Sequence, residues 1–119
     1  MSDLQIRVSQ MKGKVPVTVL HVTGDIDANS HQKLDAKSAE ITSGGAKHIL
    51  LDLTDSKYMS SAGFRSMHKI YNALQGGGDE TSCLKLLNPS DEIQRLMKAM
   101  GFDQHFTVHT DLNDAVNAF

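Results

Sequence analysis

Six histidines, a single cysteine, two closely spaced aspartates and a serine pair are the side chains of this 119-residue chain with chemistry beyond packing. The histidines stand at 21, 31, 48, 68, 105 and 109 and are dispersed. His105 and His109 are four apart, as two ligands on one helix face would be, but the residues between them read as a strand, so no metal site is expected. Cys83 alone can form neither an internal disulfide nor a cysteine-based zinc site, and inside the apolar run Cys83 to Leu87 it reads as a small core residue. Asp25 and Asp27 flank Ile26 at a strand end. Two readings stay open for them: a solvated Asx-type turn, or a rim that recognises a partner. No GxGxxG, GxxxxGK(S/T) or GxSxG is present, and the glycines Gly76 to Gly78 lack the Lys-Ser/Thr that a phosphate loop needs. An enzyme would require a pocket with convergent titratable groups. The sequence displays none, and no cofactor is implied.

Ser60 and Ser61 stand where a strand hands over to a helix. Either hydroxyl could cap that helix by accepting a backbone N–H bond, worth ~1 kcal/mol. The same position also exposes backbone N–H groups and hydroxyls to an incoming molecule. Ser61 is the candidate centre, acted upon rather than acting, with Ser60 as the second choice. Helical spacing puts Arg65, His68 and Asn72 on an outward face, with Phe64 on the flank of Ser61. Phe64 is either an exposed partner contact or buried under the loop Asp25 to Asn29.

The elements that must position these residues can be read in order. Leu4, Ile6 and Val8 alternate with polar residues, as in a half-buried strand. A turn at Lys12-Gly13-Lys14 leads into Val15 to Thr23, a β-branched strand paired antiparallel with the first, with Pro16 at its entry. Asn29 or Ser30 can cap a weakly amphipathic helix reaching about Thr42, with Leu34, Ser38 and Ile41 inward and Gly44-Gly45 as its stop. His48 to Leu53 is an apolar strand covered on both faces. The helix from Ser61 to Leu74 turns Gly63, Met67, Ile70 and Leu74 inward. Gln75 to Ser82 is a polar loop, and Cys83 to Leu87 the next strand. Ser90 caps a helix with Ile93, Leu96, Met97 and Met100 inward, ended by Gly101. Phe106 to Val108 is a short strand, and Thr110 caps a last helix bearing Leu112, Ala115, Val116 and Phe119. Alternating strands and helices predict an α/β fold: a mostly parallel sheet of about five strands, an antiparallel N-terminal hairpin and about four helices.

Length predicts one domain, 1–119, with a core that buries roughly 65% of the unfolded surface. A net charge of −2 without a long Lys/Arg run argues against nucleic acid as a partner. The start MSDLQIRVSQ lacks the basic-then-apolar pattern of a secretory signal, and no apolar segment approaches the ~18 residues of a membrane span. A cytoplasmic protein with no membrane insertion is expected.

The segment Asp52 to Arg65, DLTDSKYMSSAGFR, resembles the signature of the STAS domain family, the anti-sigma factor antagonists. Gly24-Asp25-Ile26-Asp27 is similar to the family's turn after the second strand, and Asn88-Pro89-Ser90, a Met-rich helix and Gly101-Phe102 to its C-terminal third. The resemblance implies a STAS fold and a non-enzymatic, partner-switching role. The unphosphorylated form would bind an anti-sigma factor that is also a serine kinase and free a sigma factor. Phosphorylation at the position of Ser61 would release it, and a PP2C-type phosphatase would restore it. This chain has Ser60 where well-known members often have Asp. The implied partner surface comprises Asp25, Asp27, Asn29, Met59, Ser60, Ser61, Phe64, Arg65 and His68, on a monomer or weak dimer. The alternative is a STAS subunit of another assembly, a signalling scaffold or a lipid-transporter accessory protein, without a phosphoswitch.

Overall fold

The computed structural model of the protein describes residues 4–75, 84–101 and 106–119. The expectations for Gly76 to Gly78, Cys83, Phe102 and His105 lie outside them. Among the described residues the order is β1 (Gln5–Lys12), β2 (Pro16–Thr23), α1 (His31–Ser43), β3 (Ile49–Asp55), α2 (Ser61–Gln75), β4 (Leu84–Leu87), α3 (Asp91–Ala99), β5 (Thr107–His109) and α4 (Leu112–Asn117). The strands form one sheet in the order β1-β2-β3-β4-β5. β1 and β2 are antiparallel, and every later pairing is parallel.

Because each crossover moves one strand further in the same direction, right-handed connections place α1, α2 and α3 on the same face. The main core lies there. Leu20, Val22, Ile49, Leu51, Leu53, Leu84 and Leu86 meet Leu34, Phe64, Met67, Ile70, Ile93 and Met97. The other face carries a smaller core, in which α4 sets Ala115 and Val116 on Val17, Val19, Leu50 and Leu87. Strand β3 supplies both cores with alternate residues, which is why its sequence is an unbroken apolar run.

Element ends differ from expectation by a residue or two: β2 starts at Pro16, β3 runs Ile49–Asp55 and α2 reaches Gln75. The last helix is capped by Asp111, whose carboxylate accepts the Asp114 N–H at 3.0 Å, and not by Thr110. β5 begins after Phe106, which is itself core. Met100 is the exposed C-cap residue of α3, since that helix ends one residue earlier. Ser30 holds the N-cap position of α1 without capping it by its side chain, since its hydroxyl is engaged by the preceding turn.

Beyond the footprint of α4, a polar row crosses the second face. Ser9 on β1 hydrogen-bonds His21 on β2 (2.8 Å), and His21 hydrogen-bonds Asp52 on β3 (2.7 Å). The other Asp52 oxygen accepts the backbone N–H and the hydroxyl of Thr54. Thr54 in turn receives the side-chain N–H of Asn88 at 3.1 Å. Burial works to raise the Asp52 carboxyl, but the bonds from Thr54 and His21 outweigh it and hold it below its ordinary value of 3.8. A carboxyl depressed by folding stabilises fully above its unfolded value, and that contribution is lost as pH falls through the folded one. The urea midpoint should therefore drop as pH falls below about 4, and less steeply in Asp52→Asn. Equal acid slopes in the two proteins would refute this role.

Candidate functional site

The candidate site is the junction of β3 and α2. After β3, the Ser56 N–H donates to the Leu53 carbonyl (3.0 Å) and turns the chain. The segment up to Ser60 then runs beside Ile26. The Ile26 N–H donates to the Tyr58 carbonyl (3.1 Å) and the Ser60 N–H to the Ile26 carbonyl (2.8 Å), making an isolated parallel bridge between Ile26 and Met59. This bridge fastens the Asp25–Asp27 turn to the start of α2.

The Phe64 N–H donates to the Ser60 carbonyl at 3.1 Å, so Ser60 precedes the helix and Ser61 is its first residue. The Ser60 hydroxyl oxygen is buried and has no hydrogen-bond partner, so it does not cap α2. Ser61, one residue on, is exposed. The next three residues, Ala62, Gly63 and Phe64, are all buried. A Cβ added at Gly63 would collide with Met59 Cγ and stand 2.9 Å from Ile26 Cγ2 and 3.0 Å from the Ile26 carbonyl oxygen. Only glycine lets the first turn of α2 lie this close to the bridge.

That closeness corrects two of the expected surface residues. Phe64 and Met59 are both fully buried and share the main core with Ile26. The first turn of α2 is clasped by the bridge as well as by the sheet, so the flank that would have exposed Phe64 is covered. Neither residue can touch a partner in this conformation. The exposed aromatic beside the serines is Tyr58, at 38%. Its signal in the sequence was its place after the polar run Thr54 to Lys57.

Asn29, Ser61 and Arg65 are exposed, whereas Asp25, Asp27, Ser60 and His68 are half-buried. Ser61, Arg65, His68 and Asn72 follow one another at helical spacing on the outward side of α2. The Asn72 amide lies 3.4 Å from His68 Nδ1. Asp27 is structurally committed. Its Oδ1 accepts the N–H groups of Asn29 (2.9 Å) and Ser30 (3.1 Å), and its carbonyl accepts that of His31 (2.9 Å). The Ser30 hydroxyl accepts the Asp27 N–H (2.9 Å) and donates to the Asp25 carbonyl (2.7 Å). The Asp25–Asp27 turn is therefore both the Asx-type turn and the start of α1, held rigidly beside the serines. Behind it, Asp35 on α1 meets His31 (3.1 Å) and Lys69 of α2 (3.5 Å), which docks the two helices. Burial acts to raise the Asp35 carboxyl, but bonds from Ser66 and His31 and the charge of Lys69 leave it lowered. Among the described residues no cluster of His, Cys, Asp and Glu could hold a metal ion, and no helix is long and apolar enough to cross a membrane.

A hairpin-led, otherwise parallel five-stranded sheet with three helices on one face and a bridged turn clasping α2 defines the STAS type of α/β fold. The model of the STAS domain family matches residues 9–115, and the chain belongs to that family. Among solved structures, it is similar to an anti-sigma factor antagonist from Mycobacterium paratuberculosis, with a TM-score of 0.82 and 20% identity over 98% of this chain and 93% of the other. It is also similar to SpoIIAA in its unphosphorylated form (TM-score 0.67, 18% identity, 92% of each chain). The Bacillus cell fate determinant SpoIIAA in the phosphorylated form matches with TM-score 0.70 and 17% identity, over 96% of this chain and 98% of that one. At these identities the likeness is one of fold.

Proposed function

We propose that the chain is an anti-sigma factor antagonist that works by partner switching. Unphosphorylated, it binds an anti-sigma factor that is also a serine kinase, and so frees a sigma factor. Phosphorylation of Ser61 releases it, and a PP2C-type phosphatase restores it. The observation that carries this reading is the contrast at the junction, where the Ser60 hydroxyl oxygen is buried and the neighbouring Ser61 is exposed. A kinase can reach the second without unpacking the bridge.

Two further points support the reading. SpoIIAA has been solved both without and with its phosphate, and both forms match this chain. An anion on Ser61 would sit at the positive end of α2, one turn from the exposed Arg65, and both favour the charge. The modification would then act on a complex rather than on the fold. Asp25, Asp27, Asn29, Ser60, Arg65 and His68 form the rim that a partner would cover.

The test is incubation with ATP and an extract of the source cells, followed by intact mass and phosphopeptide mapping. One phosphate on Ser61, absent from Ser61→Ala, is the expected result. Phosphate on Ser60 would move the site and show that the bridge opens. An unmodified chain in an extract that phosphorylates other proteins would overturn the switch.

A further inference from the structure

Ser9, His21 and Asp52 are far apart in sequence, and the register of three strands brings them into one hydrogen-bonded line. Asp52 is an acceptor only, already holding Thr54 on its other oxygen, so the proton on the His21–Asp52 bond belongs to His21 Nδ1. In the neutral form of His21 the lone pair of Nε2 then points toward Ser9 Oγ, 2.8 Å away. This is a nucleophile on a base, with the base oriented by a carboxylate. The His21 and Asp52 side chains are 17% and 16% exposed, shielded but reachable. Ile6 packs in the main core, so alternation along β1 puts Arg7 and Ser9 together on the opposite face, and Arg7 pairs in register with His21. A shallow cleft of about 220 Å³ opens beside the row; it is lined by His21, Asp52 and Asp55 but not by Ser9, and among the described residues Arg7 is the one Lys or Arg that lines it.

We propose that Ser9 is an activated nucleophile that accepts the acyl group of small activated esters. Ser9 Oγ attacks the carbonyl carbon, and its proton passes to His21 Nε2. The tetrahedral oxyanion forms within reach of the Arg7 guanidinium, whose charge stabilises it. Collapse breaks the bond to the leaving oxygen, which takes the proton from His21, and Ser9 is left as an ester. Water attacking the same carbon with His21 as base returns free Ser9 and the carboxylic acid. Asp52 and Thr54 touch no reacting atom and are positioning residues. The proposal is independent of the switch at Ser61, which faces the other side of the sheet.

The probe is 4-nitrophenyl acetate. Trypsin cuts after Arg7 and Lys12, so the peptide Val8 to Lys12 carries Ser9 as its only hydroxyl, and acetylation there reports this site alone. Acetyl is expected on that peptide, with its rate lowered roughly 100-fold in His21→Gln, which removes the base but can keep a hydrogen bond. Ser9→Cys should recover acylation in the His21→Gln protein, since a thiol is nucleophilic without an adjacent base; this separates lost chemistry from a lost fold, and circular dichroism monitors the sheet. Acetylation confined to lysines, or a Ser9 rate unchanged in His21→Gln, would overturn the proposal. The row would then serve only to tie β1 to β3.

Discussion

If the proposed switch operates, a Ser61→Asp chain is expected to bind its anti-sigma kinase about a thousandfold more weakly than the unmodified protein, a loss of ~4 kcal/mol. The size follows from what a complex does to the charge. In the free protein the new carboxylate stays in water at the first turn of α2, where the helix dipole and Arg65 favour it by ~0.3–1 kcal/mol. In the complex it is stripped of water against a surface shaped for a neutral hydroxyl, and an unpaired buried charge costs several kcal/mol. Ser61→Ala should bind like the unmodified chain and resist release by ATP. Titration calorimetry with the purified kinase reads both, and thermal melts should show all three proteins equally folded. Full phosphate, with nearly twice the charge, approaches the ~5.5 kcal/mol needed to swing a complex from almost all bound to almost all free. Binding of Ser61→Asp within threefold of the unmodified protein would sink the mechanism.

Gly63→Ala carries the second large effect, and its sign runs against helix propensity. In an open helix alanine would gain ~1 kcal/mol over glycine. Here the added methyl meets Met59, the Ile26 side chain and the Ile26 carbonyl. That carbonyl already accepts the Ser60 N–H at 2.8 Å, so the backbone cannot retreat without breaking the bridge. Overpacking of this kind costs ~1–3 kcal/mol, and a net loss of roughly 2 kcal/mol is expected in urea unfolding. Met59→Ala alone should cost ~2–5 kcal/mol by opening a cavity. The double variant should be more stable than the sum of the two, because each change relieves the other. A Gly63→Ala protein as stable as the parent would show that the clasp is loose.

Much of the scaffold was legible because its signals are local. Alternation at Leu4 and Ile6 marks a strand with one face on the core, whereas Val8, expected inward with them, stays exposed. The spacing of Ile93, Leu96 and Met97 behind Ser90 marks α3, and the Ser90 hydroxyl does accept the Ile93 N–H, at 3.1 Å. The site was legible only as a place. Which serine reaches solvent depends on the Ile26–Met59 bridge, and two residues pairing outside any strand leave no periodic trace. Phe64 was undecidable for the same reason, since the bridge is what covers it. The polar row over Ser9, His21 and Asp52 was hidden differently. Each residue shows in sequence as a polar interruption in a strand, but that they meet is a matter of register, which no single strand records.

Every strand of the sheet lies beside its neighbour in the chain. Each new strand emerging from a ribosome therefore finds its docking edge already made, and no earlier pairing has to be undone to admit it. The hairpin β1–β2 closes a short loop and can form first, offering β2 as the template on which β3, β4 and β5 add in turn. Helix α2 follows β3 and would settle once the Asp25–Asp27 turn is in place to clasp it. Such vectorial growth leaves few exposed intermediate edges for other nascent chains to capture.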